Sequence, residues 1–274
     1  MKMTMHRALT ILALLFYSTA AAAQIHAPWP GGIGIVPIDG DDRPTVLLGD
    51  RPVMVVSSDD HWNAIVGIPL EHDVAVPLEI TIQRAGAATE TIAIDLREAS
   101  YRVQRLTVDR KYVDPGQEAL DRIFAERKII DAALTNWRDQ EIAAVTLQAP
   151  VAGTRGSSFG SRRIFNDQPR SPHKGMDIAA ATGTPIESPL PGIVTATGDF
   201  YFNGNTVIVD HGQGYVSLYC HLSEIDVTEG QEVSTGELLG KVGATGRVTG
   251  AHLHFATYLN GTAVDPALLL ASSE

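Results

Sequence analysis

A short pattern in the second half of the chain could supply two ligands to a metal ion. His173 and Asp177 stand at the two ends of the segment His-Lys-Gly-Met-Asp. Pro172 and Gly175 indicate a turn that enters a strand rather than a helix, so the two side chains could converge across the bend. Alone, this pattern is a weak indication of a metal site.

A second pattern places two imidazoles side by side. His252 and His254 flank Leu253 in an apolar stretch, and the two-residue period of a strand puts both rings on one face. An isolated pair of histidines at this spacing more often lies on a solvated strand face without binding a metal. Combined with the first pattern, it predicts a zinc site, since a catalytic zinc takes three protein ligands plus water. Two histidines and one aspartate leave a net charge of about +1, which acidifies a bound water and polarises a carbonyl.

A third histidine could complete an acid-base set. His221 ends the β-rich run Tyr219-Cys220-His221, in which Tyr219 and His221 share a face. Peptide hydrolysis needs a group that takes a proton from the attacking water and a donor that stabilises the oxyanion, and histidine can do either near pH 7. His221 and His252 are the candidates for this pair.

Cys220 is the only cysteine, so the chain forms no internal disulfide. We expect it to be a small buried hydrophobic residue. A catalytic cysteine next to His221 is disfavoured, because neighbours in a strand point to opposite faces.

Taken together and in this order, the patterns resemble the lysostaphin/LytM-type zinc metalloendopeptidases, which cut peptides in peptidoglycan. The resemblance covers about residues 149–270. Besides the histidine patterns it includes the segments Ser158-Phe-Gly-Ser-Arg162, Gly204-Asn205-Thr-Val, Asp210-His-Gly, Gly243-Ala-Thr-Gly246 and Gly250-Ala-His-Leu-His254.

The resemblance implies one Zn²⁺ per chain, held by His173, Asp177 and His254, with His221 and His252 as the catalytic pair. It also implies the β-rich duplicated hybrid motif fold, with the metal in an open groove that takes a peptide strand.

Other residues in the matching segments receive no such role. The resemblance assigns none to Asn205, Arg162 or Tyr219, and Ala251 stands where many members of the family have proline. We expect His211 to lie in a turn, either solvated or behind the ligands. His26, His61 and His72 are read as surface residues.

The fold expected from the rest of the chain is mainly β. Residues 24–110 are predicted to form an immunoglobulin-like β-sandwich, because β-rich runs recur every eight to twelve residues between Gly, Pro, Asp and Asn clusters. The runs are Ile35-Val36, Val46–Leu48, Val53–Ser57, Ile65–Ile68, Leu78–Ile82, Ile92–Leu96 and Tyr101–Val108.

An amphipathic helix is predicted within a linker, residues 111–145. Asp114 and Pro115 suit an N-cap and a first helical position, and apolar residues at three-to-four-residue spacing extend the helix to about Asp139. Residues 146–274 then form the antiparallel β peptidase domain, with strands at 192–197, 206–210, 215–222, 238–242 and 253–258.

The first 23 residues read as a cleavable signal peptide: Lys2 and Arg7 precede an apolar run of about ten residues, too short to span a bilayer, and then a series of alanines. The sequence therefore predicts an exported protein, periplasmic or extracellular, without stable membrane insertion after cleavage. The net charge of −11 becomes −13 on cleavage, which excludes a basic nucleic-acid-binding surface.

Two other functions compete with this interpretation. A LytM-type activator of cell-wall amidases would lack zinc ligands, and here all five histidine and aspartate positions are present. A biotinyl or lipoyl carrier would need a lysine at a hairpin tip, and Lys241 follows a turn glycine instead.

Substrate choice and regulation stay open at this point. Members of the family cut either glycine-rich bridges or the D-alanine to diaminopimelate cross-link, and a periplasmic location favours the second. The N-terminal domain could bind the wall or a partner, or it could pack over the groove and restrain activity.

Overall fold

Antiparallel strands form most of the computed structural model, which describes residues 25–271. The predicted signal peptide, residues 1–23, lies outside this range. Within the range, no helix is both long and apolar enough to span a membrane. The mainly β prediction is confirmed.

Two small antiparallel sheets form the N-terminal unit and enclose one core. One has the strand order β1-β5-β4 and the other β3-β2-β6-β7. Alternating residues such as Leu78, Ile80 and Ile82 on β6 point inward, as the two-residue period requires. The strands are β1 (Ile33–Asp39), β2 (Thr45–Leu48), β3 (Arg51–Pro52), β4 (Met54–Ser58), β5 (His61–Gly67), β6 (Leu78–Gln83) and β7 (Glu90–Ile94).

The last run predicted for the sandwich belongs elsewhere, so that part of the prediction is wrong. Strand β8 (Val103–Leu106) pairs in parallel with a strand at Arg162–Phe165 of the C-terminal unit. The pattern of β8 gives the reason: its residues are exposed or only half-buried, so nothing ties it to the sandwich core. A 3₁₀ helix at Arg110–Tyr112 follows it.

The linker helix is shorter than predicted. Helix α1 runs from Gln117 to Leu134, and Gly116 rather than Asp114 is its N-cap, without a side-chain hydrogen bond. It packs on the outer face of the C-terminal sheet through its last turn, where Ala133 and Leu134 are buried, whereas Phe124 is exposed.

One ten-stranded antiparallel sheet forms most of the C-terminal unit: seven strands follow one another in the sheet, and three more pair at its margins. The five strands predicted here are confirmed to within a few residues. The strands of the unit are β9 (Thr154–Arg155), β10 (Arg162–Phe165), β11 (Gln168–Pro169), β12 (Met176–Ala179), β13 (Pro185–Glu187), β14 (Gly192–Phe200), β15 (Gly204–Gly212), β16 (Tyr215–Ile225), β17 (Glu232–Val233), β18 (Leu238–Val242), β19 (Leu253–Leu259) and β20 (Thr262–Val264). Of these, β10 and β11 form a separate small sheet with β8, and helix α2 (Pro266–Leu269) follows β20.

The two units share a core. Ile33, Met54 and Ile65 of the sandwich belong to the same apolar cluster as the main C-terminal sheet. The buried amide of Asn260 accepts a hydrogen bond from the N–H of Gly67 at 2.7 Å and donates one to its carbonyl at 3.2 Å. Because breaking this contact would expose apolar surface and a polar pair, the sandwich is a fixed part of the peptidase unit.

Candidate metal and catalytic site

Three side chains converge on one point at the edge of the large sheet. His173 Nε2 lies 2.9 Å from His254 Nδ1 and 3.2 Å from Asp177 Oδ1, and the last two atoms are 3.0 Å apart. In a tetrahedral zinc site with bonds of about 2.0–2.1 Å, ligand atoms stand roughly 3.3 Å from one another. The donor set and its spacing therefore fit a metal ion of this kind, as the grouping of His173, Asp177 and His254 indicates.

Strand pairing brings two of these residues together. Asp177 on β12 and His254 on β19 are direct cross-strand partners, so their side chains emerge on the same face. His252 precedes His254 by one strand period, and both line the same cavity while Leu253 between them is fully buried.

Ser158 positions His173, the third member of the cluster. His173 Nδ1 donates to the Ser158 carbonyl at 3.0 Å, which leaves Nε2 free to face the site. The Ser158 hydroxyl accepts from the backbone N–H of Asp177 at 2.9 Å. Ser158 thus orients two of the three residues that could hold a metal ion, which gives this residue of the Ser-Phe-Gly-Ser segment a structural role.

Gly175 leaves room for the imidazole of His254. A Cβ atom at this position would lie 2.7 Å from His254 Cε1 and 2.8 Å from its Nε2, and 2.7 Å from the carbonyl of Phe255. Any side chain here would push the imidazole, so the glycine between His173 and Asp177 is required by close approach.

The two proposed catalytic histidines lie beside the ligands in a matching orientation. His221 donates through Nδ1 to the Thr245 carbonyl at 2.9 Å, and His252 donates through Nδ1 to the Gly250 carbonyl at 2.9 Å. Their rings are 5.0 Å apart, and His252 Nε2 is 3.7 Å from Asp177 Oδ1. Both therefore present an Nε2 without a proton toward the site in the neutral form.

The backbone at His221 is strained, and a small network holds it. Its φ is +70°, in the left-handed region that residues with a Cβ seldom adopt. The Thr245 hydroxyl donates to the Leu222 carbonyl at 2.8 Å and accepts from the Asn205 N–H at 2.9 Å. Asn205 also donates its side-chain amide to the Leu222 carbonyl. Asn205 thus anchors the residue next to His221.

Charge within the cluster favours the ligating forms. Burial alone would raise the pKa of Asp177, but its interactions with the adjacent imidazoles of His173 and His254 outweigh burial and hold the pKa well below the usual range. Burial lowers the pKa of His173 to about 4 and that of His221 to about 3. An ionised Asp177 beside a neutral His173 is a combination that binds a divalent cation.

A cavity of about 140 Å³ opens next to these groups. Asp177, His221, His252 and His254 form one side of it. Its other lining residues are Gln104, Leu106, Val108, Arg163, Phe165, Phe202, Asn203, Arg247, Val248 and Thr249. Strands β1 to β7 contribute none of these residues, and the segment that follows them, which includes β8, borders the cavity instead.

The remaining sequence candidates fall outside the cluster. His211 is buried rather than solvated: its Nδ1 bonds to the Pro191 carbonyl and its Nε2 to Ser217. Tyr219 is fully buried, and its hydroxyl is hydrogen-bonded to that of Ser217 at 2.8 Å. It does not line the cavity. Arg162 is exposed. Cys220 is buried in the apolar cluster under α1, as predicted.

Sequence reasoning missed the arginines of the cavity. Arg163 follows directly after Arg162 on β10, and Arg247 lies in the loop after Gly243-Ala-Thr-Gly246. The alternation of β10 could have separated the exposed Arg162 from the inward-facing Arg163. This alternation could not have shown that β8 would pair with β10 and enclose Arg163.

Comparison with known families agrees with this geometry. Residues 171–266 match the model described as Peptidase family M23, and residues 26–96 match the Peptidase family M23 N-terminal domain. A crystal structure from Pseudomonas aeruginosa, assigned to peptidase M23, is 35% identical in sequence and has a TM-score of 0.75. The match covers 92% of this chain and 98% of the chain in that structure.

Two curated relatives match the peptidase part. Peptidoglycan DD-endopeptidase ShyA of Vibrio cholerae is 35% identical over 158 residues, which are 57% of this chain and 32% of ShyA. DD-carboxypeptidase/endopeptidase Mpg of Neisseria meningitidis is 44% identical over 118 residues, 43% of this chain and 27% of Mpg. The chain thus spans about a third of the length of these relatives.

Proposed function

The chain belongs to peptidase family M23, and from that premise we propose that it is a zinc-dependent endopeptidase that hydrolyses peptide cross-links of peptidoglycan. The observation that carries the proposal is the triangle of His173 Nε2, Asp177 Oδ1 and His254 Nδ1 with sides of 2.9–3.2 Å. Imidazole and carboxylate are the ligand types that zinc prefers. The activities named for ShyA and Mpg support the substrate class.

In this proposal each residue of the cluster has one task. His173, Asp177 and His254 hold the metal, which when bound activates a water molecule and polarises the scissile carbonyl. His221 and His252 act on protons: one accepts the proton of the attacking water through its Nε2, and the other faces the oxygen that gains charge. The carbonyls of Thr245 and Gly250 keep both rings oriented for this.

The competing function is a catalytically silent activator of cell-wall amidases. Such a protein has no need for a complete ligand set or for oriented acid-base histidines. The chain keeps all five residues in one cluster, which favours the enzyme.

The proposal also specifies the bond that is cut and the compartment in which the protein acts. The D-alanine to diaminopimelate cross-link is the substrate bond that we infer, and the protein acts after export, in the periplasm. The names of both curated relatives, DD-endopeptidase and DD-carboxypeptidase/endopeptidase, support a bond between two D-residues.

The segment that follows the sandwich is the part of the N-terminal half that could regulate activity, because it borders the cavity. Gln104, Leu106 and Val108 line the cavity, and the Tyr112 hydroxyl donates to the Gly246 carbonyl at 2.9 Å on the opposite wall. A segment attached to both walls narrows the entrance for a peptide. We therefore propose that residues 103–113, rather than the sandwich itself, restrain activity.

The test uses purified peptidoglycan with diaminopimelate cross-links. The zinc-loaded mature protein should convert cross-linked muropeptide dimers into monomers, as followed by chromatography with mass detection. A chelator should stop the conversion and added zinc should restore it. No conversion by zinc-loaded protein, together with stimulation of an added amidase, would replace the enzyme by the regulator.

A further inference from the structure

The cavity beside the catalytic cluster holds two cationic side chains that the proposed reaction does not use. Arg163 and Arg247 both line it, and the only carboxylate among its lining residues is Asp177, which belongs to the ligand set. In residues 25–271, neither guanidinium has an ion-pair partner within 4.0 Å. This is unusual in a chain with a net charge of −11.

Both guanidinium groups are held in place by aromatic rings. The Arg247 guanidinium carbon lies 4.5 Å from the ring centre of Phe202 and 4.9 Å from that of Phe165. Arg163 lies 5.7 Å from the Phe165 ring. Stacking fixes the plane of a guanidinium but leaves its N–H donors at the edge free for a ligand.

Two buried polar atoms in this part of the cavity wall lack a hydrogen-bond partner. Arg163 Nε is buried without a hydrogen-bond partner in the described chain, and so is Oε1 of Gln104, its neighbour across the β8–β10 pairing. Burial lowers the pKa of Arg163, and burial together with the charges of Arg163 and Arg170 lowers the pKa of Arg247 to about 10. Both stay protonated at pH 7. Desolvated, unpaired cations are costly to maintain, and an anionic ligand would relieve that cost.

We propose that Arg163 and Arg247 form a carboxylate-binding subsite that reads the residue on the amine side of the scissile bond. A guanidinium offers paired donors that match the two oxygens of a carboxylate. This inference rests on the proposed function, since it assigns the part of the cavity next to the metal to the substrate.

The subsite distinguishes between the possible bonds. In the D-alanine to diaminopimelate cross-link, the scissile nitrogen is attached to a carbon that also bears a free carboxylate. In a glycine bridge, the corresponding carbon bears the next peptide group, which has no charge. An arginine pair beside the metal therefore selects a cross-link with a free carboxylate on that carbon and disfavours a glycine bridge.

The experiment compares two cross-linked peptides that differ only at that carboxylate, free in one and amidated in the other. The wild-type protein should cleave the free acid with a kcat/KM about tenfold to a hundredfold above that of the amide, the range expected for charge-assisted hydrogen bonds. Arg163→Gln and Arg247→Gln should reduce this preference, because each should slow cleavage of the free acid far more than cleavage of the amide.

Controls separate a specific effect from a structural one. Arg105→Gln removes an exposed arginine of β8 whose partner is the exposed Asp167, and it should leave the preference intact. If Arg247→Gln does not fold, Arg247→Lys keeps the charge without the paired donors and should show a reduced preference. Zinc content and thermal midpoint are measured for every variant.

A second readout does not depend on catalysis. Calorimetric titration of the metal-free protein should show that the free-acid peptide binds more tightly than the amide, and that Arg163→Gln removes the difference. Equal cleavage of both peptides by the wild type, or equal losses on both in the arginine variants, would overturn the subsite and leave the endopeptidase standing. Arginine-dependent binding without cleavage of either peptide would instead overturn the proposed reaction and keep the subsite.

Discussion

Gly175→Ala should remove most of the metal affinity while leaving the fold intact. The new Cβ would stand 2.7 Å from His254 Cε1 and 2.7 Å from the Phe255 carbonyl, where ordinary contact begins at 3.4 Å. The His254 ring must therefore move by about 0.7 Å, whereas a metal site tolerates errors of about 0.2 Å in its ligand distances. Overpacking of this kind costs about 1–3 kcal/mol; the share that falls on the His254 ring weakens metal binding, by up to about 150-fold, and the share that falls on the Phe255 carbonyl lowers stability with or without metal.

The assay is a competition titration of the metal-free protein against a chromogenic zinc chelator. Gly250→Ala is the matched control, since its Cβ would meet nothing within 4 Å although it lies two residues before His252. We expect wild-type affinity in the control and weakened binding in Gly175→Ala, with thermal midpoints of the metal-free proteins differing by a few degrees at most. Wild-type zinc affinity in Gly175→Ala would refute the assignment of His254 Nδ1 as a ligand in this geometry.

Three further perturbations test other parts of the account. Thr245→Val removes a hydroxyl that bonds two backbone groups behind His221, so the free energy of unfolding should fall by about 1–3 kcal/mol and hydrolysis should slow with zinc content retained; unchanged hydrolysis would contradict the positioning role. Burial lowers the pKa of His211 from 6.5 to about 4, so the unfolded chain binds more protons between these values, and stability present above pH 6.5 is lost as the pH falls toward 4. That loss amounts to about 3 kcal/mol, and denaturant titrations of His211→Gln should show a shallower dependence on pH than the wild type; identical slopes would argue against it. Tyr112→Ala removes the bond to Gly246, so cleavage of soluble cross-linked peptide should speed up, and an unchanged or lower rate would remove the restraint by residues 103–113.

The sequence predicted those parts of the site that follow from local periodicity. The two-residue period of a strand placed His252 and His254 on one face, and the turn residues around His173 placed it across a bend from Asp177. In the structure His252 and His254 line the same cavity, and His173 Nε2 lies 3.2 Å from Asp177 Oδ1, which agrees with both arguments about position.

What the sequence could not predict depends on contacts between distant segments. The run at Tyr101–Val108 has strand composition, but composition does not say which sheet a strand joins, and β8 pairs with β10 instead of the sandwich. Apolar spacing predicts a helix that continues to Asp139, but the helix ends at Leu134, and Arg138 beyond it binds the buried Asp210 at 2.7 Å. The position of Arg163 in the cavity wall likewise depends on the pairing of β8 with β10, which the sequence does not predict.

The central claim is that one zinc ion held by His173, Asp177 and His254 supports hydrolysis of peptidoglycan cross-links. The most direct measurement is zinc content together with release of muropeptide monomers from purified peptidoglycan, for the mature wild type, His254→Ala and His221→Ala. The account predicts one zinc and hydrolysis in the wild type, loss of both in His254→Ala, and loss of hydrolysis with zinc retained in His221→Ala. A His254→Ala protein that keeps its zinc and its activity would contradict it.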